Sequence, residues 1–222
     1  MGTHRATRER SAVPRVRAVL AGALVLGVGA SVTTASWTDT EYATGSFGAS
    51  VFSIESTVSA PYSAAGPWRT NETAPGATLT FDAAGMHPGK SVYAPIALRT
   101  QPSSVAGTVT LGGAAVTNST TTPPLLGAAL VYRVVRSETC GAGAFGSGAA
   151  FVVGSATSAQ PLTTGQTAGA ATLPAATATT PGSSVHFCFE VTLPPTNPTS
   201  ASNGLQGKSA SAVWLFSAVS AP

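Results

Sequence analysis

The sequence predicts an all-β protein, one antiparallel β-sandwich preceded by a short export helix. Three observations carry this reading. Only 9% of the 222 residues are charged, while Gly (24), Pro (16) and abundant Ala, Thr and Ser dominate. That composition suits short strands joined by turns and is poor in the Leu, Glu, Lys and Arg that long helix faces need. Apolar residues alternate with polar ones in short runs bounded by Gly, Pro, Ser and Thr clusters, which is the period of strands with one buried face. There is no βαβ alternation and no internal repeat, so a parallel sheet would need helices that the chain does not supply.

In chain order, the export segment comes first. Residues 1–17 carry Arg5, Arg8, Arg10, Arg15 and Arg17, and residues 18–32 (AVLAGALVLGVGASV) are uncharged. As a helix rising 1.5 Å per residue, this run falls short of the roughly 30 Å hydrocarbon core of a bilayer but matches the apolar stretch of a signal peptide. Thr33 and Ala35 supply small residues at the −3 and −1 positions of a cut between Ala35 and Ser36. The chain then divides into a signal peptide, 1–35, and one secreted domain, 36–222, whose first residues, 36–46, form a free segment. An uncleaved membrane anchor is the alternative, and membrane contact is expected only through the uncleaved signal. Five of the eleven basic residues and one of the eight acidic ones lie in the first 35 positions. The remainder, with six basic and seven acidic groups, is close to neutral, so the pI near 9.2 belongs to the signal. Without a Lys/Arg stripe, binding to a phosphate backbone lacks its main electrostatic contribution, and no nucleic-acid partner is expected.

Strands are expected at 47–54, 78–81, 91–100, 105–111, 130–136, 149–153, 184–193 and 210–219. In the clearest of them Val185, Phe187, Phe189, Val191 and Leu193 share one face and His186, Cys188, Glu190 and Thr192 the other, the pattern of a half-buried strand. Trp214 alternates with Ala212 and Phe216, which favours core packing over a sugar-stacking platform. Gly-, Pro-, Ser- and Thr-rich stretches at 118–124, 141–148 and 163–182 separate the strands, and the last is long enough to be a mobile excursion. Strands at this spacing fit a sandwich of jelly-roll or immunoglobulin-like type. The only two cysteines, Cys140 and Cys188, are expected to form a disulfide in an exported chain, contributing about 4 kcal/mol by loop closure.

Ala35-Ser36-Trp37-Thr38-Asp39 followed by Tyr42-Ala43-Thr44-Gly45-Ser46-Phe47 resembles the SipW-dependent signal and mature N-terminus of the TasA/camelysin family. Met86-His87-Pro88-Gly89-Lys90-Ser91-Val92 is similar to the family's Pro-Gly turn into a strand, and Leu205-Gln206-Gly207-Lys208-Ser209 to its C-terminal end. The resemblance implies a jelly-roll-like sandwich, a SipW-type signal peptidase as processing partner, and a mature N-terminal segment that leaves its own domain to complete a neighbour's sheet. Trp37, Tyr42, Phe47, Val51 and Phe52 would then be the assembly residues. Such strand addition binds through backbone hydrogen bonds and, being head-to-tail, propagates into fibres. The alternative, left open, is that 47–54 pairs within its own sheet and the protein stays monomeric.

Support for catalysis is sparse. His4 leaves with the signal, His87 lies in a Pro-Gly turn, and His186 shares a strand face with Cys188 and Glu190. Those three would gather around a metal only if Cys188 kept a thiolate, which oxidation removes, so no metal site is expected. The chain contains no His-Glu-x-x-His motif, Gly-x-Ser-x-Gly elbow or Walker loop, and nothing singles out a carboxylate pair such as Glu138 with Glu190. No catalytic residue and no cofactor is expected. The function read from the sequence is a secreted extracellular structural or matrix protein, assembling with itself or with other matrix proteins. A surface adhesin presenting loops such as 163–182 is the alternative, and a metalloprotease-like secreted hydrolase stands behind both.

Overall fold

The computed structural model describes residues 13–29, 40–46, 49–59, 62, 66–81, 85–166, 171–195 and 203–221. Ala35, Ser36, Trp37 and Phe47 lie outside these residues, and so does the expected cut. The chain forms two compact units, Met1–Phe47 and Gly48–Pro222. In the first, helix α1 spans Val13–Gly29 and exposes Val13, Val16, Val19 and Leu20. Among the described residues no helix is long and apolar enough to cross a membrane. Residues 40–46 carry neither helix nor strand and are exposed.

The second unit contains β1 (Ile54–Thr57), β2 (Ser91–Thr100), β3 (Gly107–Leu111), β4 (Ala115–Asn118), the single helical turn α2 (Leu126–Ala129), β5 (Val131–Arg136), β6 (Ala150–Val153), β7 (Gln160–Pro161), β8 (Ala171–Leu173), β9 (Val185–Thr192), β10 (Ala210–Val213) and β11 (Phe216–Ser220). One sheet has the order β1-β2-β9-β5-β6, with β7 also beside β5; the other layer is β8-β3-β11 continued by the pair β4-β10. All these pairings are antiparallel. The chain changes layer between β2 and β3, β4 and β5, β7 and β8, β8 and β9, and β9 and β10, producing the expected jelly-roll-like all-β sandwich.

Alternation builds the core. Ile96 and Leu98 of β2, Tyr132 and Val134 of β5, and Phe187 and Phe189 of β9 meet Val109, Leu111 and Leu173 of the opposite layer. Aromatic rings tie the layers together, Phe187 with Phe216 at 5.2 Å and Phe189 with Trp214 at 5.1 Å between centroids. Burying each such side chain contributes roughly 1.5–3 kcal/mol. Trp214 thus packs on the core, as its alternation indicates.

Several boundaries differ from the expectation. The first strand starts at Ile54, not at 47, with Val51 making only an isolated bridge to Ser104. Residues 78–81 form no strand, although Leu79 and Phe81 pack on the core. The run 210–219 is two strands broken at Trp214 and Leu215, opposite the Gly112-Gly113-Ala114 break between β3 and β4, and the register shifts by one residue there. The described part of the 163–182 segment, residues 163–166 and 171–182, is not a free excursion. It contains β8, and its end is fastened to the β2–β3 connection: Ala176 N–H donates to Ser104 O (2.9 Å), Ser103 N–H to Thr177 O (2.7 Å) and Gly182 N–H to Thr100 O (3.1 Å). A Cβ on Gly182 would sit 2.3 Å from Thr100 Oγ1, so glycine permits that close approach.

Candidate functional site

The polar residues of greatest chemical interest lie on the outer face of the first sheet, and their order follows from strand register. Cys188 of β9 is joined to Cys140, with Cα atoms 5.1 Å apart. The disulfide draws the 137–149 connection over the sheet, and Phe145 seals it against Val135 and Cys188. Strand β9 is therefore buried on both faces, where alternation alone predicts one. Glu190, two residues along, is buried as a result.

Burying a carboxylate is costly unless it is paired. Tyr93 of β2 and Arg133 of β5 flank Glu190 in register. Arg133 Nε donates to Glu190 Oε2 at 2.5 Å and the Tyr93 hydroxyl to Oε1 at 3.2 Å. Arg133 also donates to the carbonyls of Ser155 and Ala156 and lies 5.1 Å from the Phe145 ring centroid. Burial, then the Glu190 charge, pushes the Tyr93 hydroxyl above its ordinary pKa.

A second cluster surrounds His186. Its ring stacks on Tyr62 at 4.3 Å and 7°, Nε2 lies 2.8 Å from Ser184 Oγ, and Nδ1 lies 2.6 Å from Glu138 Oε2. This contact does not meet hydrogen-bond geometry, and it is an ion pair only when the imidazole is protonated. Glu138 is largely exposed, which keeps such a pair within about 1 kcal/mol. Tyr62 donates to Phe187 O at 2.5 Å, and burial followed by the Glu138 charge raises its pKa. A third pair, Arg99 Nε to Glu55 Oε1 at 2.6 Å, lies under Trp68, whose ring centroid is 4.0 Å from the guanidinium. No local pattern announces these engagements, because each partner comes from a distant strand or loop.

The structure brings His186, Cys188 and Glu190 to one face but commits each elsewhere. Among the described residues no group of three or more His, Cys, Asp or Glu is placed to hold a metal ion. Glu138 and Glu190 belong to different clusters. Of the assembly residues, Tyr42 is 93% exposed and Val51 53% exposed. Phe52 is half-buried, its ring where a Cβ on Gly107 would be, 2.5 Å from Phe52 Cε2. From Val51 onward the chain is bonded to its own sandwich, with Val105 N–H donating to Val51 O (3.0 Å) and Gln101 N–H to Ser53 O (2.9 Å).

Fold and clusters together define a disulfide-clamped antiparallel β-sandwich whose buried charges are paired with one another. Compared with known proteins, the chain matches no family profile and no curated sequence. The disulfide fits a non-reducing environment.

Proposed function

We propose that this chain is a secreted structural protein of an extracellular matrix, assembling through its mature N-terminal segment. The observation that carries this is residues 40–46, exposed and without helix or strand, in a unit separate from the sandwich. The Arg-rich start and apolar run ahead of it, the disulfide, and the resemblance of the Ala35–Phe47 stretch to the TasA/camelysin junction support export. The pairing of Glu55, Glu138 and Glu190 with cationic or imidazole groups supports a load-carrying role over a catalytic one. Because Val51 and Phe52 are held in their own domain, the donating part of the segment is what precedes Val51.

Sequencing the N-terminus of protein recovered from culture medium tests export, with Ser36 the expected first residue. Sizing the mature protein at high concentration over days, with and without residues 36–46, tests assembly. Growth in size only when the segment is present is expected; a monomer in both cases overturns the assembly reading.

A further inference from the structure

The two cysteines of the disulfide are unequally placed. Cys188 sits in β9, the strand between β2 and β5, with Pro95 and Val135 beside it in register and Phe145 packed against it. It is 0% exposed. Cys140 lies in the connection over that face and is only half-buried. Its flanks are open: Glu138 and Thr139 before it and Ala142 and Gly143 after it are exposed, and a Cβ on Gly141 or Gly143 would meet nothing within 4 Å. A reagent approaching the folded protein can reach Cys140 and is kept from Cys188.

The connection is also held in place by contacts other than the covalent bond. Ahead of Cys140, Ser137 N–H donates to His186 O (3.2 Å); beyond it, Phe145 packs on Val135 and Cys188. Folding of the sandwich therefore brings the two sulfurs together before they are joined, and such proximity makes the joining step intramolecular and fast. The apolar surround of Cys188 disfavours a thiolate there. Exchange runs through thiolates, so an outside thiol that attacks Cys140 must expel Cys188 as a buried anion, a poor leaving group. Closure in the opposite direction consumes that same anion and is favoured to the same extent.

We propose that Cys140 is the entry sulfur of this clamp, the site at which the folded, reduced chain takes up an external disulfide, and that Cys188 resolves the adduct. The Cys140 thiolate, its proton lost to water, attacks one sulfur of the external disulfide, whose own S–S bond breaks and whose second sulfur leaves as thiolate. Cys188 then gives up its proton and attacks Cys140 Sγ, and the remaining donor sulfur leaves as thiolate. Two protein thiols are thereby oxidised to one disulfide. The donor disulfide takes the two electrons and, with the two protons, becomes two thiols. The donor is a small-molecule disulfide or the active-site disulfide of an oxidoreductase, and the exposed chain on both sides of Cys140 leaves room for either.

The test uses the full-length chain, reduced and desalted, with far-UV circular dichroism reporting whether it is folded, oxidised glutathione as the probe, and intact and peptide masses as the readout. Cys188→Ala should acquire one glutathione, on Cys140, while folded. Cys140→Ala should react at Cys188 at least about a hundredfold more slowly, reaching full rate only in unfolding urea, because a fully buried sulfur waits for an opening of the sheet. Where a variant fails to fold, the unsubstituted protein answers the same question. Partly reduced with glutathione, quenched in acid, unfolded and alkylated, it should carry glutathione on Cys140 and the alkyl group on Cys188. Equal rates in the two folded variants, or glutathione on Cys188, overturns the proposal. So does a folded Cys188→Ala protein that stays unmodified, since closure would then have to precede folding. Closure of the reduced, unsubstituted protein is also timed with oxidised glutathione alone and with a catalytic amount of an oxidised thioredoxin-fold oxidoreductase added. Acceleration by the enzyme assigns the protein donor and its absence the small molecule, with entry at Cys140 in both cases.

Discussion

Replacing the Cys140–Cys188 disulfide gives the most quantitative test of how this sandwich is held. Its sequence separation of 48 sets a loop-closure contribution of about 4 kcal/mol at 25 °C. Cys188 is fully buried against Phe145 and Val135 whereas Cys140 is half-buried, so Cys188→Ala with Cys140→Ser avoids leaving a buried hydroxyl unpaired. Loss of sulfur packing adds about 1 kcal/mol, giving an expected destabilisation of about 5 kcal/mol, a large part of the roughly 5–15 kcal/mol typical of a domain. With a urea m-value of about 2 kcal/mol/M, the midpoint should fall by about 2–2.5 M. Urea titration followed by tryptophan fluorescence and far-UV circular dichroism reads this directly. A loss below about 1.5 kcal/mol, with the fold intact, would refute the reasoning, because the reduced unfolded chain would then already be as restricted between these positions as the cross-linked one.

Removing one partner of the buried ion pair, as in Arg133→Met, should destabilise the protein by about 3–5 kcal/mol, because Glu190 is left charged and buried; adding Glu190→Gln should recover much of that, and a double-mutant cycle by thermal melting checks it. Gly107→Ala puts a Cβ 2.5 Å from both Phe52 Cε2 and Val219 O, so a loss of about 1–3 kcal/mol is expected in chemical denaturation. Tyr62, Tyr93 and Tyr132 all have hydroxyls raised above the ordinary value, chiefly by burial. Stability is therefore unaffected by these groups below about pH 10, where folded and unfolded forms are both neutral. It falls as pH climbs beyond that, since the unfolded chain releases these protons first. Urea midpoints measured from pH 8 to 11 should show this decline, with a shallower slope in Tyr62→Phe.

Alternation made the long strands legible. Ser91–Thr100 stands as expected, and Val185–Thr192 falls within one residue of its expected ends, because ten and eight residues give the period-two signal room to repeat. Short strands such as Ala171–Leu173 and Gln160–Pro161 offer too few repeats to rise above a Thr- and Ala-rich background. Residues 78–81 mislead in the opposite sense: they have strand-like composition and core contacts but no neighbour to pair with. The disulfide was readable from cysteine count alone. The burial of Glu190 was not, because it depends on the 137–149 connection folding back over β9, and nothing local to His186–Thr192 announces that cover. The Arg133–Glu190 and Arg99–Glu55 pairs were hidden for the same reason, since single charges on separate strands acquire partners only through register.

The central position of β9 also bears on the order in which the molecule can form. Its neighbours are β2, paired from Ser91 with Thr192 to Leu98 with Val185, and β5, so the middle of the main sheet is the last of its strands to be synthesised. Until residue 192 emerges, β2 and β5 each lack the neighbour between them, and local hairpins cannot substitute for contacts this distant in sequence. The same strand delivers the second cysteine. A growing chain of this design remains threadable through most of its length, then closes its sheet and acquires its covalent clamp in the same late stretch.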